Sequence, residues 1–354
     1  MRLPPPWVRR GILAPLVVLL ALLVVVLLPA WLTIALIVSV FVEPRLRTPR
    51  LLLMVAVYLL WDASAVVVLF ALWVASGFGW RIHSPRFRQA HYRFVARMLG
   101  VLFWNAHWIL RLEIDVRVPE GFHDDERPRV IASRHAGPGD SFILIHAVLN
   151  WFDRSPRIIL KDTMQWDPAV DVVLNRLPNR FIAPPPVAGE AGRPRRRGPR
   201  RDRIRPAVPL TARIADLAAD MGRRDALVIF PEGGNFTPAR RARAIERLRT
   251  AGLAAAAERA ARLMNVMAPR PAGLFAALDA APDADVFLVA HTGLDRIRTV
   301  GDVWRELPTD KTITMQVWNV PRTEIPDEHD ARSDWLMAEW ERIDRWIGSR
   351  GSPA

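Results

Sequence analysis

Between Gly11 and Val42 the chain carries no charged residue, and between Leu51 and Trp80 only Asp62 interrupts a second apolar run. A run of at least about 18 apolar residues is long enough to cross the hydrocarbon core of a bilayer. A secretion signal has an apolar core of only about 7–15 residues, so two membrane-embedded helices are expected here, not a cleaved leader. The first run, taken as one helix at ~1.5 Å per residue, would be roughly 48 Å long against a core of about 30 Å. Pro29 lies inside it and could kink it or split it into two short halves. Two full spans would put Arg45, Arg47 and Arg50 outside, against the positive-inside tendency. A hairpin inserted in one leaflet avoids that conflict, and the sequence leaves both arrangements open. Asp62 is costly inside such a run, and is either functional or held by a neighbouring helix.

The net charge of +13 in 354 residues is local. Residues 1–100 hold 11 Arg against Glu43 and Asp62, and residues 189–206 hold 8 Arg against Glu190 and Asp202. What remains is slightly acidic, so the chain is not a basic globule. Positive charge beside an apolar anchor suits an anionic lipid surface, and membrane phospholipids are the expected partners. Residues 184–206 are rich in Pro, Gly and Arg with almost no apolar side chain, and read as a mobile insertion. No aromatic residue interleaves the arginines and no recognition helix accompanies them, so nucleic acid is not expected as a partner. The absence of cysteine excludes disulfides, thiolate nucleophiles and zinc–thiolate sites.

From Ser84 to Leu112, Arg86, Arg88, Arg93 and Arg97 alternate with Phe87, Phe94, Val95, Met98 and Leu99. This is the pattern of a helix lying on a membrane surface or packing on the next domain. Strands are then expected at Arg111–Val118, Arg129–Ser133, Arg157–Lys161, Asn179–Ala183, Ala226–Phe230, Asp285–His291 and Thr312–Val320. Helices are expected at Ser141–Phe152, Pro168–Leu177, Pro209–Met221, Arg240–Met264 and Asp330–Ile347. Strands separated by helices predict an α/β fold with a mixed, largely parallel central sheet flanked by helices, preceded by an N-terminal helical membrane anchor. The expected division is an anchor over 1–83, an interfacial helix or linker over 84–110, and an α/β domain over 111–348 that contains the 184–206 insertion.

Two segments carry chemistry. His135-Ala-Gly-Pro-Gly-Asp140 places an imidazole and a carboxylate five positions apart across a turn set by Gly137, Pro138 and Gly139. A carboxylate that fixes an imidazole in one tautomer makes it a usable general base. The plainer alternative is Asp140 as an N-cap with an unrelated histidine nearby. Asp225-Ala-Leu-Val-Ile-Phe230 reads as a strand, and Pro231-Glu-Gly-Gly234 follows it as a tight loop with unhindered amides. Ser141 lacks both the Gly-x-Ser-x-Gly elbow and a late Asp-x-x-His partner, which argues against a serine nucleophile. A metal cluster of His135, Asp140, Glu232 and His291 has no supporting ligand spacing.

In combination, a membrane anchor, H-x4-D and, about ninety residues on, a strand ending Phe-Pro-Glu-Gly resemble the glycerolipid acyltransferases, the lysophosphatidate or 1-acylglycerol-3-phosphate acyltransferase family. The resemblance runs from about Arg111 to Ile347. His135 and Asp140 match the family's catalytic motif, and Phe230, Pro231, Glu232 and Gly233 match most of its Phe-Pro-Glu-Gly-Thr-Arg motif. Asn179-Arg-Phe-Ile182 looks like the second motif, with Ala183 and prolines where an arginine is expected. Val286–His291 corresponds to the fourth. One branch of the family carries Pro-Arg-x-x-Gly after the third motif. Phe236-Thr237, Val266–Gly273, Ile325-Pro326 and Trp335-Leu336 are similar to it.

The resemblance implies acyl transfer from a thioester, acyl-CoA or an acyl-carrier protein, to a lyso-lipid hydroxyl, with no cofactor and no metal. His135 would be the base and Asp140 its orienter. Glu232, Gly233, Gly234, Asn235, Arg134 and Arg180 would surround the acceptor, and amides around Gly233 and Gly234 would meet the oxyanion. It also implies a cell-membrane location with the catalytic domain on the cytoplasmic side, where such donors occur. The departure is Gly234-Asn235 in place of Thr-Arg, because asparagine cannot supply a bidentate cation for a phosphate. Arg134, Arg180, Arg240 or the Arg-rich insertion would have to substitute, or the acceptor is not a phosphomonoester. A membrane lipid-binding protein without turnover is the alternative from another class.

Overall fold

The computed structural model describes residues 3–43, 45–119, 127–137, 139–182, 208–294, 302, 305–306 and 311–350. Ala183 and the Arg-rich stretch 184–206 lie outside these residues. The first apolar run forms one helix, α1 (Pro6–Ser39), with a π-helical stretch over Arg9–Leu13. Pro29 does not split it, since Pro29 lies inside a continuous α-helix and Thr33 Oγ1 donates to the Pro29 carbonyl at 2.9 Å. In apolar surroundings a helix keeps every backbone hydrogen bond it can, which is why proline is tolerated there.

After a short connection in which Leu46 takes a left-handed conformation (φ 68°), α2 (Arg47–Ala75) returns alongside α1. Both helices are long and apolar enough to cross a membrane, and Leu16, Leu23, Val26, Phe41 and Phe70 are exposed on them. Next, α3 (Pro85–Leu110) buries Tyr92, Leu99, Leu102, Ala106 and Leu110. That spacing makes one stripe along a helix. The stripe packs against α2, where Trp61 Nε1 donates to the Met98 carbonyl at 2.6 Å.

Seven strands form one sheet among the described residues: β1 (Leu112–Arg117), β2 (Arg129–Ser133), β3 (Ser155–Lys161), β4 (Arg180–Ile182), β5 (Asp225–Ile229), β6 (Asp285–Thr292) and β7 (Lys311–Val320). Their order is β1-β7-β6-β2-β5-β3-β4, with every neighbouring pair parallel except β6–β7. The expected mixed, largely parallel sheet is therefore present, and all seven expected strands are found. Side chains alternate between two cores, as a pleated strand requires. Val130, Ala132, Leu227 and Ile229 face α6 (Leu210–Ala218), α9 (Pro271–Ala280) and α10 (His329–Ser349). Ile131, Ala226, Val228 and Phe287 face α4 (Asp140–Asn150).

Two helices differ from expectation. The single helix expected at Arg240–Met264 is two, α7 (Pro238–Thr250) and α8 (Ala254–Arg262), broken at Gly252 with φ +75°. The second difference is α9, which was not anticipated; its start is a Pro-Arg-Pro sequence, with Pro271 at the first helical turn. Proline is well suited to that position. A short helix, α5 (Pro168–Leu174), completes the layer beneath the hairpin.

Candidate active site

The two chemical segments leave the C-terminal ends of adjacent parallel strands, β2 and β5, whose register pairs Ala132 with Ile229. The chain leaving β2 enters α4 on one face of the sheet, whereas α9, which follows β5, lies on the other. Divergent connections of this kind open a crevice at the carboxyl ends of the strands, where α/β folds bind ligands. Sequence order alone thus puts His135 and the Phe230–Gly234 loop on the two lips of one crevice.

His135 Nδ1 lies 3.2 Å from Asp140 Oδ2. The same oxygen accepts from the amides of Ala136 (2.5 Å) and Gly137 (2.7 Å). Asp140 is therefore no simple N-cap, because Gly139 holds that position and the carboxylate reaches back into its own loop. Burial pushes the Asp140 pKa up, but the His291 charge, the His135 hydrogen bond and the Gly137 amide outweigh it and hold the group below its usual value. As an ionised acceptor it fixes the proton of His135 on Nδ1, leaving Nε2 with a lone pair and no partner among the described residues. The ring stacks on Phe230, with centroids 4.4 Å apart and planes inclined by 26°.

Glu232 is placed differently from expectation. It is 1% exposed, accepting from the His135 amide at Oε1 and from the Met267 amide at Oε2, both at 3.1 Å. With both oxygens spent on backbone, it braces the His135 loop against the Met267 loop. The Phe236 amide donates to the His135 carbonyl (2.7 Å) and the Arg270 amide to the Pro231 carbonyl (2.8 Å), which close the same knot of three loops.

Gly233 and Gly234 sit at φ +70° and +158°, a region that favours glycine. The Gly233 amide is committed to the Phe230 carbonyl at 3.0 Å, so it is not a free oxyanion donor. The amides of Gly234 and Asn235 have no acceptor among the described residues, and the Asn235 carbonyl accepts from Arg240 Nη1 at 3.2 Å.

Arg134 and Arg180 lie away from the Phe230–Asn235 loop. Arg134 is 1% exposed and donates to the carbonyls of His291 (2.6 Å) and Asn265 (3.2 Å), bracing the interior. Arg180 lies on β4, three strands from β2, which is roughly 14 Å at ~4.8 Å per strand.

Sequence reasoning gave no role in acyl transfer to His291. It lies on β6 beside β2, and its Nε2 is 3.5 Å from Asp140 Oδ2, so the carboxylate stands between two imidazoles. Among the described residues no group of three or more His, Asp or Glu is arranged to hold a metal. Ser141, the residue after Asp140, borders an apolar cavity between α2, α3, α4 and α5, lined by Trp61, Leu69, Phe94, Met98 and Phe142 among others. Ser141 makes no hydrogen bond to a histidine among the described residues. The cavity would accept a hydrocarbon chain and offers nothing to a polar one.

The hairpin, the amphipathic helix and the mixed sheet with its crevice at β2 and β5 define an acyltransferase-like α/β fold. No family model and no curated protein matches the sequence. Among solved structures, the fold is similar to that of the 1-acyl-sn-glycerophosphate (LPA) acyltransferase PlsC from Thermotoga maritima, with a TM-score of 0.51 and 13% identity, over 87% of this chain and 99% of that one. At that identity the likeness defines the fold, and the chemistry rests on the site.

Proposed function

We propose that this chain is a membrane-bound O-acyltransferase that moves a fatty acyl group from an acyl thioester, acyl-CoA or acyl-carrier protein, to the hydroxyl of a lysophospholipid. The acceptor in this proposal is 1-acylglycerol-3-phosphate, giving phosphatidate. The observation that carries this reading is the His135–Asp140 pair, with Nδ1 held at 3.2 Å and Nε2 free of partners among the described residues. Nε2 takes the proton of the acceptor hydroxyl, and the oxygen attacks the thioester carbonyl. The tetrahedral oxyanion then collapses, the C–S bond breaks, and the thiolate leaves with the proton from the imidazolium. Asp140 stabilises that imidazolium, as a buried carboxylate does for a catalytic histidine. The amides of Gly234 and Asn235 are the oxyanion donors on offer, and such a donor contributes about 10²–10³-fold in rate. The apolar cavity beside Ser141 would take the acyl chain, and the fold similarity to PlsC supports the same class of reaction.

The membrane reading is ours as well: the anchor sits in the cell membrane with the catalytic domain on the cytoplasmic side. His135→Ala is expected to lose at least about 10²–10⁴-fold in acyl transfer while staying in the membrane fraction. The assay follows thiol release from acyl-CoA with lysophosphatidate as acceptor. A fully active His135→Ala protein would overturn the mechanism, and lipid retained without any thioester consumption would favour a non-catalytic lipid-binding protein.

A further inference from the structure

Arg134 is spent on buried carbonyls, Arg180 lies three strands from β2, and Asn235 carries no charge. Two other guanidinia lie directly on the glycine loop. A Cβ built at Gly233 would sit 3.1, 3.2 and 3.3 Å from Nη1, Cζ and Nε of Arg270, so the plane of that guanidinium covers the bare α-carbon. At Gly234 a Cβ would sit 3.1 Å from Arg240 Nη1. Adjacent α-carbons are ~3.8 Å apart, so the two cations flank one short loop. Both side chains are exposed, and neither meets a carboxylate among the described residues. The nearest acidic group in the loop, Glu232, is buried with its oxygens on the backbone.

Each arginine is also anchored by its own backbone. The Arg270 amide is tied to the Pro231 carbonyl at 2.8 Å, and Arg240 lies in the first turn of α7, its amide held at 3.1 Å by the N-cap hydroxyl of Thr237. A Cβ at 233 or 234 would make the guanidinium beside it give by a few tenths of an ångström, so the two glycines let the arginines lie close on the turn.

We propose that Arg240 and Arg270 form a clamp for a phosphomonoester and determine the acceptor headgroup. This rests on the acyl-transfer reading for the identity of the ligand. Two guanidinia match the charge of about −1.5 to −2 on a phosphomonoester at neutral pH, whereas a phosphodiester carries a single negative charge. In a 1-acylglycerol-3-phosphate the phosphate sits on the carbon next to the one bearing the free hydroxyl. A hydroxyl at His135 therefore places the phosphate close by, and the Phe230–Gly233 turn, with Phe230 stacked on His135 and Arg270 over Gly233, provides that short span. The clamp replaces the arginine absent at 235 with two side chains from different parts of the chain.

The test uses the full chain in detergent, a short-chain lysophosphatidate, the matching monoacylglycerol and the matching lysophosphatidylcholine. Calorimetric binding without donor is measured alongside steady-state transfer. Arg240→Ala and Arg270→Ala are each expected to weaken lysophosphatidate binding and raise its KM by about 10–100-fold, with a larger loss in the double variant. Arg270→Lys keeps the charge without the planar fork and loses less. The preference of wild type for lysophosphatidate over the other two ligands should collapse in the double variant, with its thermal unfolding midpoint unchanged. A wild type without that preference, or a double variant that keeps it, overturns the clamp and leaves acyl transfer standing. A wild type that binds the phosphomonoester selectively through these arginines but transfers no acyl group keeps the clamp and removes the acyl-transfer reading.

Discussion

At the scale of single residues the candidate site depends on a carboxyl group buried between two loops. Glu232 ties the loop after β2 to the loop before α9 through two amide hydrogen bonds, and burial pushes its pKa up from 4.5 to about 8. The Met267 and His135 amides and the Arg134 charge pull it down, and the Asp140 charge adds to the rise. Between those two pH values the folded chain keeps a proton that the unfolded chain has released, so stability falls as pH rises through that window. Below it both states are protonated, and above it the full penalty is present. For a wholly buried group this component is on the order of a few kcal/mol. Glu232→Gln cannot ionise, so its unfolding midpoint should fall less between pH 5 and pH 8 than that of wild type. Its NH2 group must face one of the two amide donors, lowering stability at pH 5 by about 1–3 kcal/mol, a deficit that narrows or reverses by pH 8. Thermal unfolding in detergent at the two pH values checks both parts, and a variant with the wild-type pH slope would show that Glu232 does not titrate in this range. The position of Glu232 was legible in the sequence, while its role was not, because the bracing partner Met267 comes 35 residues later. His291 was hidden for a similar reason: only the β6–β2 register brings it to Asp140.

Elements were legible wherever a periodic pattern was flanked by turn residues, which is why all seven strands were found. Hidden were features that depend on contacts between elements, above all the junction between α1 and α5. Arg9, 4% exposed, donates to Asp171 Oδ1 at 2.7 Å and Gln165 Oε1 at 3.1 Å, and Arg10 Nε meets Asp171 Oδ2 at 2.8 Å. In the sequence Arg9 and Arg10 immediately precede an apolar run. In the fold they bolt its first turn to α5, 162 residues away. Farther along the hairpin, Tyr58 donates to Asp167 Oδ2 at 3.0 Å, and Asp167 caps α5 through the Val170 amide. Removing one partner of a buried pair leaves an uncompensated charge, at a cost of about 3–5 kcal/mol, whereas replacing both with apolar residues is often nearly neutral. Asp171→Leu is therefore expected to lower the unfolding midpoint strongly, and the Arg9→Met, Asp171→Leu pair to recover most of the loss. A double-mutant cycle by thermal unfolding measures the coupling, and strictly additive losses would show that the junction does not couple.

For the whole molecule, the two topologies that composition left open place different demands on the contacts along the hairpin. Near its first turn α1 is held to α5 by Asp171, midway α2 is held to α3 and α5 through Trp61 and Tyr58, and past the connection Arg47 Nη2 reaches the Arg305 carbonyl at 3.4 Å. The hairpin thus lies along the domain over most of its length and does not project from it. If both helices crossed a bilayer, the flank of the α/β domain would have to cross with them, together with buried charges such as Asp171. On the proposed membrane reading, insertion of the outward apolar face into one leaflet needs no such burial, and would keep Arg45, Arg47 and Arg50 on the same side as the α/β domain, in line with the positive-inside tendency. It would also set the apolar cavity beside Ser141 against the helices proposed to meet lipid. The chain has no cysteine, so Glu43→Cys gives a single reporter at the connection between α1 and α2. In sealed right-side-out vesicles it should resist a membrane-impermeant maleimide until the membrane is opened by detergent. Labelling in the intact vesicles would mean that the connection reaches the far side. The lateral contacts would then describe a domain whose flank enters the bilayer with its anchor.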